Sequence, residues 1–202
     1  MSFKTKLALG SLIVSFASAA IAQTAASTRL RGQIDAVDSQ TITMTTREGK
    51  VLKLALTKDT AYSYVKAMQM SDIKSGSFIG AAGKPGKDGA IEALEVVVFP
   101  EERRGTGEGH YAWDLLPDSS MTNATVAAIT QGTSGQDLNL VYKDGAKKVT
   151  VPKGTPIVSI VNGQIADVKA GLPAFVVAVP REGGDFTASR VIVGKDGVAP
   201  PM

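Results

Sequence analysis

The stretch FPEERRGTGEGHYAWDLLPDSSM, positions 99–121, holds the chain's single histidine and single tryptophan, His110 and Trp113. Around them stand Glu101, Glu102, Arg103, Arg104, Glu108, Tyr111 and Asp114. Glu101, Glu102, Glu108, His110 and Asp114 offer carboxylate and imidazole donors to a divalent metal, while Tyr111 and Trp113 offer faces to a sugar or an aromatic ligand. No spacing here matches a known metal signature, so the identity of any metal stays unknown. The same residues also read as a packing strap. Trp113 would then be an aromatic anchor, His110 and Asp114 would bond nearby backbone, and Arg103 and Arg104 would pair with Glu101, Glu102 or Glu108 at the surface.

Catalysis has less to stand on. The glycine-rich GTGEG at 105–109 is not followed by lysine and Ser/Thr, and it lacks the strand-loop-helix setting of a phosphate-binding loop. A Ser-His-Asp triad would have to take His110 from a connector, and none of Ser119, Ser120 and Ser134 lies in a nucleophile-elbow sequence. The expectation is therefore a protein that is not an enzyme, with no catalytic residues and no cofactor.

What must position these side chains is set by the rest of the chain. Residues 1–22, MSFKTKLALGSLIVSFASAAIA, combine Lys4 and Lys6 with an apolar run and a small-x-small ending, the pattern of a secretory signal peptide cleaved after Ala22. The run is too short and too diluted by Ser, Gly and Ala for a spanning helix, and no twin arginine precedes it. Nothing later has the length or apolarity of a transmembrane helix, so the mature chain is expected in the periplasm with no transmembrane segment. The absence of cysteine excludes disulfides, zinc-thiolate sites and a thiol nucleophile. Without Lys4 and Lys6, 20 basic residues face 19 acidic ones. So balanced a surface gives no long-range attraction to nucleic acid or anionic lipid.

The chain also resembles itself. A shift of 95 positions lays Thr60 on Thr155, DIKSG (72–76) on DVKAG (167–171), and AxxVVV (93–98) on AxxVIV (188–193). Leu54 and Leu56 fall on Val149 and Val151, and Lys58 on Lys153. At the front the shift slips by a few residues, pairing GQIDAV (32–37) with ATVAAI (124–129), as a hairpin loop of changed length would cause. Agreement at one offset in separated places points to an internal duplication.

Each copy reads as five strands, in the first at 31–37, 41–46, 51–56, 78–82 and 91–99. TITMTT at 41–46 alternates apolar and polar residues, the pattern of a half-buried strand. Between the third and fourth strands, MSDIKSG and IADVKAG each read as one helical turn with Asp near the start and Gly at the stop. Three strands, a helical link and two strands is the order of an oligonucleotide/oligosaccharide-binding (OB) barrel. The expected fold is thus all-β: two tandem five-stranded OB-like barrels at 29–99 and 122–195, joined by a structured linker at 100–121 and followed by a flexible tail at 196–202.

GxI or GxV opening a copy, then TITM, TxDTxY, SDIKSG and an ALEVVV closing strand, resembles a bacterial family of exported OB-type repeats that has no assigned function. RGTGEGHYAWD looks like a feature of a narrower subgroup of two-copy proteins. MSDIKSG before a strand is also similar, in scaffold, to the periplasmic copper and silver efflux metallochaperone. That family captures Cu(I) with a histidine ending the second strand and a tryptophan plus an M-x-M pair entering the third. Here Thr45 stands in the histidine's place, and 47–52 holds neither tryptophan nor methionine. Met68 and Met70 come after the third strand and read as gap fillers beneath the barrel.

An OB surface for single-stranded nucleic acid would carry stacking aromatics on strands two and three. Those strands offer Thr41, Thr43, Thr45, Val51 and Lys53, with Tyr142 the lone aromatic in the second copy. No nucleic-acid partner is expected. The sequence thus leads to an exported, non-enzymatic binding or interaction module of the cell envelope, its partner an unidentified envelope protein or small ligand. The alternative is a periplasmic metal-handling accessory protein using residues around His110.

Overall fold

A computed structural model describes residues 26–181 and 183–200. The signal segment expected at 1–22 lies outside the described residues. Thirteen strands account for the regular structure: β1 (Thr28–Val37), β2 (Thr41–Thr46), β3 (Val51–Ala55), β4 (Ala61–Ala67), β5 (Phe78–Pro85), β6 (Ile91–Val98), β7 (Gly109–Ala112), β8 (Ser120–Gln131), β9 (Gly135–Tyr142), β10 (Gly145–Pro152), β11 (Ile157–Asn162), β12 (Pro173–Pro180) and β13 (Phe186–Gly194). The remaining regular pieces are single 3-10 turns, among them Met70–Asp72 and Ile165–Asp167. Among the described residues no helix is long and apolar enough to cross a membrane.

The expected strand segments exist, and β2 buries Ile42, Met44 and Thr46 on alternate positions as its pattern requires. Their partners differ from the expectation. All strands join one sheet in the order β10-β9-β8-β5-β6-β11-β4-β13-β12-β1-β2-β3, with β7 added on β8. Two further pairings, β10 with β6 and β13 with β3, link the ends of two runs of five strands. The hydrogen bonding is therefore arranged otherwise than two barrels, each made from one contiguous stretch, would require. β1, β2 and β3 pair with β12 and β13, while β8, β9 and β10 pair with β5 and β6.

The physical reason lies in β4 and β11. The segments between the third and fourth expected strands do end in a single 3-10 turn, but each begins as a strand not expected from the sequence. β4 and β11 pair antiparallel with each other, Val65 opposite Ile160. On its other edge β4 runs parallel to β13, and β11 runs parallel to β6. An extended segment in this position carries the chain across to the other half before the next hairpin begins.

Several local features recur at the spacing read from the sequence. Val65 and Ile160 are themselves 95 positions apart. β5 and β12 are bulged at Ala82/Gly83 and Val177/Ala178, β1 and β8 at Ile34/Ala36 and Val126/Ala128. Asp72 and Asp167 each accept a hydrogen bond from the backbone N–H three residues before, closing their 3-10 turns. Gly76 and Gly171 follow with φ of 89° and 85°, a conformation that favours glycine. Their N–H groups donate to Val126 and Ile34, each in the opposite half.

Three apolar clusters form the core. One gathers Ile79, Val96, Val126, Leu138, Leu140 and Val149, with Met68 and Met70 partly buried against it. The second gathers Ile34, Ile42, Met44, Leu54, Val176 and Val191. The third lies at the seam and holds Val65, Val97, Met121, Ile160, Phe175 and Ile192. Val198 packs against this seam cluster and Pro200 is buried, so residues 196–200, expected as a flexible tail, return to the body.

Candidate functional site

Residues 100–119 form a strap over the seam. Pro100 leads into a 3-10 turn at Glu101–Arg103, a glycine-rich turn follows, and β7 adds to β8 with Tyr111 opposite Met121. The next turn is pinned by Ser119: Trp113 N–H donates to its carbonyl at 2.8 Å, and Leu116 N–H donates to its hydroxyl at 3.1 Å. This brings Trp113 and Leu115 down, partly buried, onto the seam cluster.

Around Trp113 the strap meets β1. The Arg29 guanidinium lies 4.1 Å from the indole centroid, and Tyr111 meets the same ring edge-on at 6.0 Å. Asp114 accepts hydrogen bonds from Arg31 at 2.7 Å and Arg29 at 3.4 Å. Burial pushes the Asp114 carboxyl up, but the two guanidiniums outweigh it and hold the group below the usual carboxylate range. Asp114, expected to bond nearby backbone, instead bonds side chains more than eighty positions away.

The other strap residues divide by partner. Arg104 pairs with Glu101, as expected, and donates to the Gly76 carbonyl at 2.8 Å. Glu102 is exposed. Glu108 accepts a bond from Lys143 N–H at 3.0 Å. The His110 Nδ1 lies 2.8 Å from the Thr122 hydroxyl, where burial and the nearby Lys147 charge lower its pKa. Among the described residues no three His, Cys, Asp or Glu side chains come together in a way that would hold a metal ion. The donors named from the sequence thus do not converge, whereas Tyr111, Trp113 and Arg103 do.

They converge on a cavity of about 430 Å³ between the strap and the sheet. The sheet side is apolar, with Val97, Phe99, Phe175 and Ile192 contributed by β6, the residue after it, β12 and β13. Asn123, buried on β8, donates from Nδ2 to the Thr106 carbonyl at 3.1 Å and to the Tyr111 hydroxyl at 3.1 Å. Its Oδ1 and the Trp113 Nε1 are buried without a hydrogen-bond partner. Gly80 on β5 makes room for this amide, since a Cβ there would stand 2.5 Å from Asn123 Oδ1. Three guanidiniums, Arg29, Arg103 and Arg190, border the space.

Sequence reasoning found the strap side of this cavity and missed the sheet side. Arg29 and Asn123 come from strands far in the chain from each other and from the β12–β13 hairpin that carries Phe175 and Arg190, and no local spacing connects the three places. A second cavity, of about 490 Å³, lies beside Met68 and Met70 but is bordered by glutamines, Lys153 and backbone turns, with no aromatic side chain. The two methionines also pack, partly buried, against the first core cluster. Compared with protein-family models, curated proteins and solved structures, the chain matches none of them.

Proposed function

We propose that the protein is an exported, non-enzymatic binding module of the cell envelope whose ligand enters the cavity under the strap. The observation that carries this reading is that cavity: a space of small-molecule size, walled by aromatic and aliphatic side chains, with two buried polar atoms left for a ligand to satisfy. Export rests on the leader pattern at 1–22. A non-catalytic role is favoured by His110, whose Nδ1 faces a threonine hydroxyl rather than the carboxylate a triad uses to orient its base. The metal-handling alternative gains nothing from the positions of Glu101, Glu108 and His110, each turned to another partner.

The architecture belongs to the same proposal. The two runs of five strands are OB-type barrels that arose by duplication and exchanged their last two strands, so the seam between them became a site neither copy owns. The recurrences at a spacing of 95, and the resemblance to exported OB-type repeats, support that history.

N-phenyl-1-naphthylamine, a neutral apolar fluorophore, tests the cavity directly. It is expected to bind saturably with energy transfer from Trp113, and Ala61→Phe, which fills the cavity from an exposed wall position, is expected to abolish the transfer. Equal transfer in wild type and Ala61→Phe, or none in either, would refute the site.

A further inference from the structure

Resting on that reading of the cavity, we propose that its ligand is a small organic carboxylate with an apolar body, its head group held by Arg103 and Arg190. The three guanidiniums at the cavity are not equivalent. Arg29 is engaged, stacked on Trp113 and facing Asp114. Arg103, reaching in from the strap, gives its hydrogen bonds to neutral acceptors, the Ser63 hydroxyl at 3.1 Å and the Asn162 amide oxygen. Arg190 on β13 has no side-chain hydrogen bond or ion pair among the described residues. Burial, and then the like charge of Arg190, draw Arg103 below its ordinary pKa, with Glu102 opposing from the rim. Two cations bordering one partly buried space, with no carboxylate bonded to either, are relieved by an anion that bridges them.

The rest of the cavity says what the anion is attached to. Val97, Phe175 and Ile192 present a wall that inorganic phosphate would leave uncovered and an apolar body would bury. The buried Trp113 Nε1 is a donor without an acceptor. Asn123 is 6% exposed, and its Nδ2 is committed to the Thr106 carbonyl, which can only accept; that fixes the amide and leaves Oδ1 waiting for a donor. A hydroxyl on the ligand supplies that donor. The chemistry selected is a hydroxy carboxylic acid with an aromatic or branched apolar end.

The test uses the purified protein and three related probes: 3-phenyllactate, its uncharged amide, and 3-phenylpropionate, which keeps the charge and lacks the hydroxyl. Trp113 is the chain's only tryptophan, so its emission reports from the cavity wall. Phenyllactate is expected to bind saturably, roughly tenfold or more tightly than the amide, with phenylpropionate between them. Arg190→Gln, at an exposed position, is expected to weaken phenyllactate by about tenfold and its uncharged amide far less, with the melting temperature unchanged. Arg103→Gln should act in the same direction. Equal affinity for acid and amide, or full affinity in Arg190→Gln, overturns the carboxylate assignment. So does the absence of any saturable response to the acids, up to about 10 mM, in protein that still binds the neutral fluorophore; that outcome spares the cavity and removes only its charge preference.

Discussion

Residue by residue, the strap is held by cations on an aromatic ring and by carboxylates placed where their charge has consequences. Glu95, on β6 outside the strap, is a carboxyl moved far from its ordinary range. Burial raises its pKa to about 7, with Arg31 and Arg47 pulling the other way, and its Oε1 has no hydrogen-bond partner. Between the ordinary value of 4.5 and about 7 the folded protein therefore binds a proton that the unfolded chain releases. Stability must fall as pH rises through that window, by on the order of 2–3 kcal/mol. His110 has its pKa lowered and works in the opposite direction, so the informative quantity is a difference. Urea denaturation of wild type and Glu95→Gln at pH 5 and pH 8 should show the variant losing most of the fall with pH. A parallel pH dependence in the two proteins would contradict the burial of this carboxyl.

Asn123 and Gly80 show the same economy of space. Gly80→Ala places a Cβ at 2.5 Å from Asn123 Oδ1 and 3.1 Å from the Phe99 ring, so the amide must move and its bonds to Thr106 and Tyr111 are strained or lost. The expected cost is about 1–3 kcal/mol, together with a weakened response to N-phenyl-1-naphthylamine. A variant as stable as wild type with an unchanged response would show that the amide is not a fixed wall of the cavity.

At the scale of elements, what could be read from the sequence depended on whether a segment had one wet face. β2, with Ile42, Met44 and Thr46 inward and threonines between them half-buried, announces itself by alternation. β4 does not. Ser63 and Val65 are buried, while Tyr62 and Tyr64 on the opposite face are half-covered, so AYSYVKA shows no polar-out register and reads as part of a connector. β7 is only four residues long and glycine-led, below the length at which periodicity means anything. The strap's aromatic character was legible because Trp113 and Tyr111 are rare here. Its destination was not, because Arg29 reaches the hairpin of Phe175 and Arg190 only through the pairing of β1 with β12, more than a hundred positions away.

For the whole molecule, the spacing of 95 could be read in the sequence, but the pairing of β1 and β3 with β12 and β13, and of β8 and β10 with β5 and β6, could not. A run of three strands can pair with the next two strands of its own stretch or with two from elsewhere, and the hydrophobic pattern is identical in either case. What decides is the extended path of β4 and β11 through the seam, which also gives the cavity walls from both halves. The cavity takes its walls from strands of both runs, so a ligand bound there should stabilise the whole molecule.

β3 closes against β13 rather than β6, and the cysteine-free chain lets this be asked cleanly. Ala55 is paired with Thr187, whereas its counterpart in an unexchanged arrangement would be Glu92, 95 positions earlier. Ala55→Cys combined with Thr187→Cys should oxidise readily to an intramolecular disulfide in the native protein, and Ala55→Cys combined with Glu92→Cys should stay reduced. Bridging of 55 to 92, with 55 and 187 left as free thiols, would contradict the pairing of β3 with β13 and with it the shared cavity.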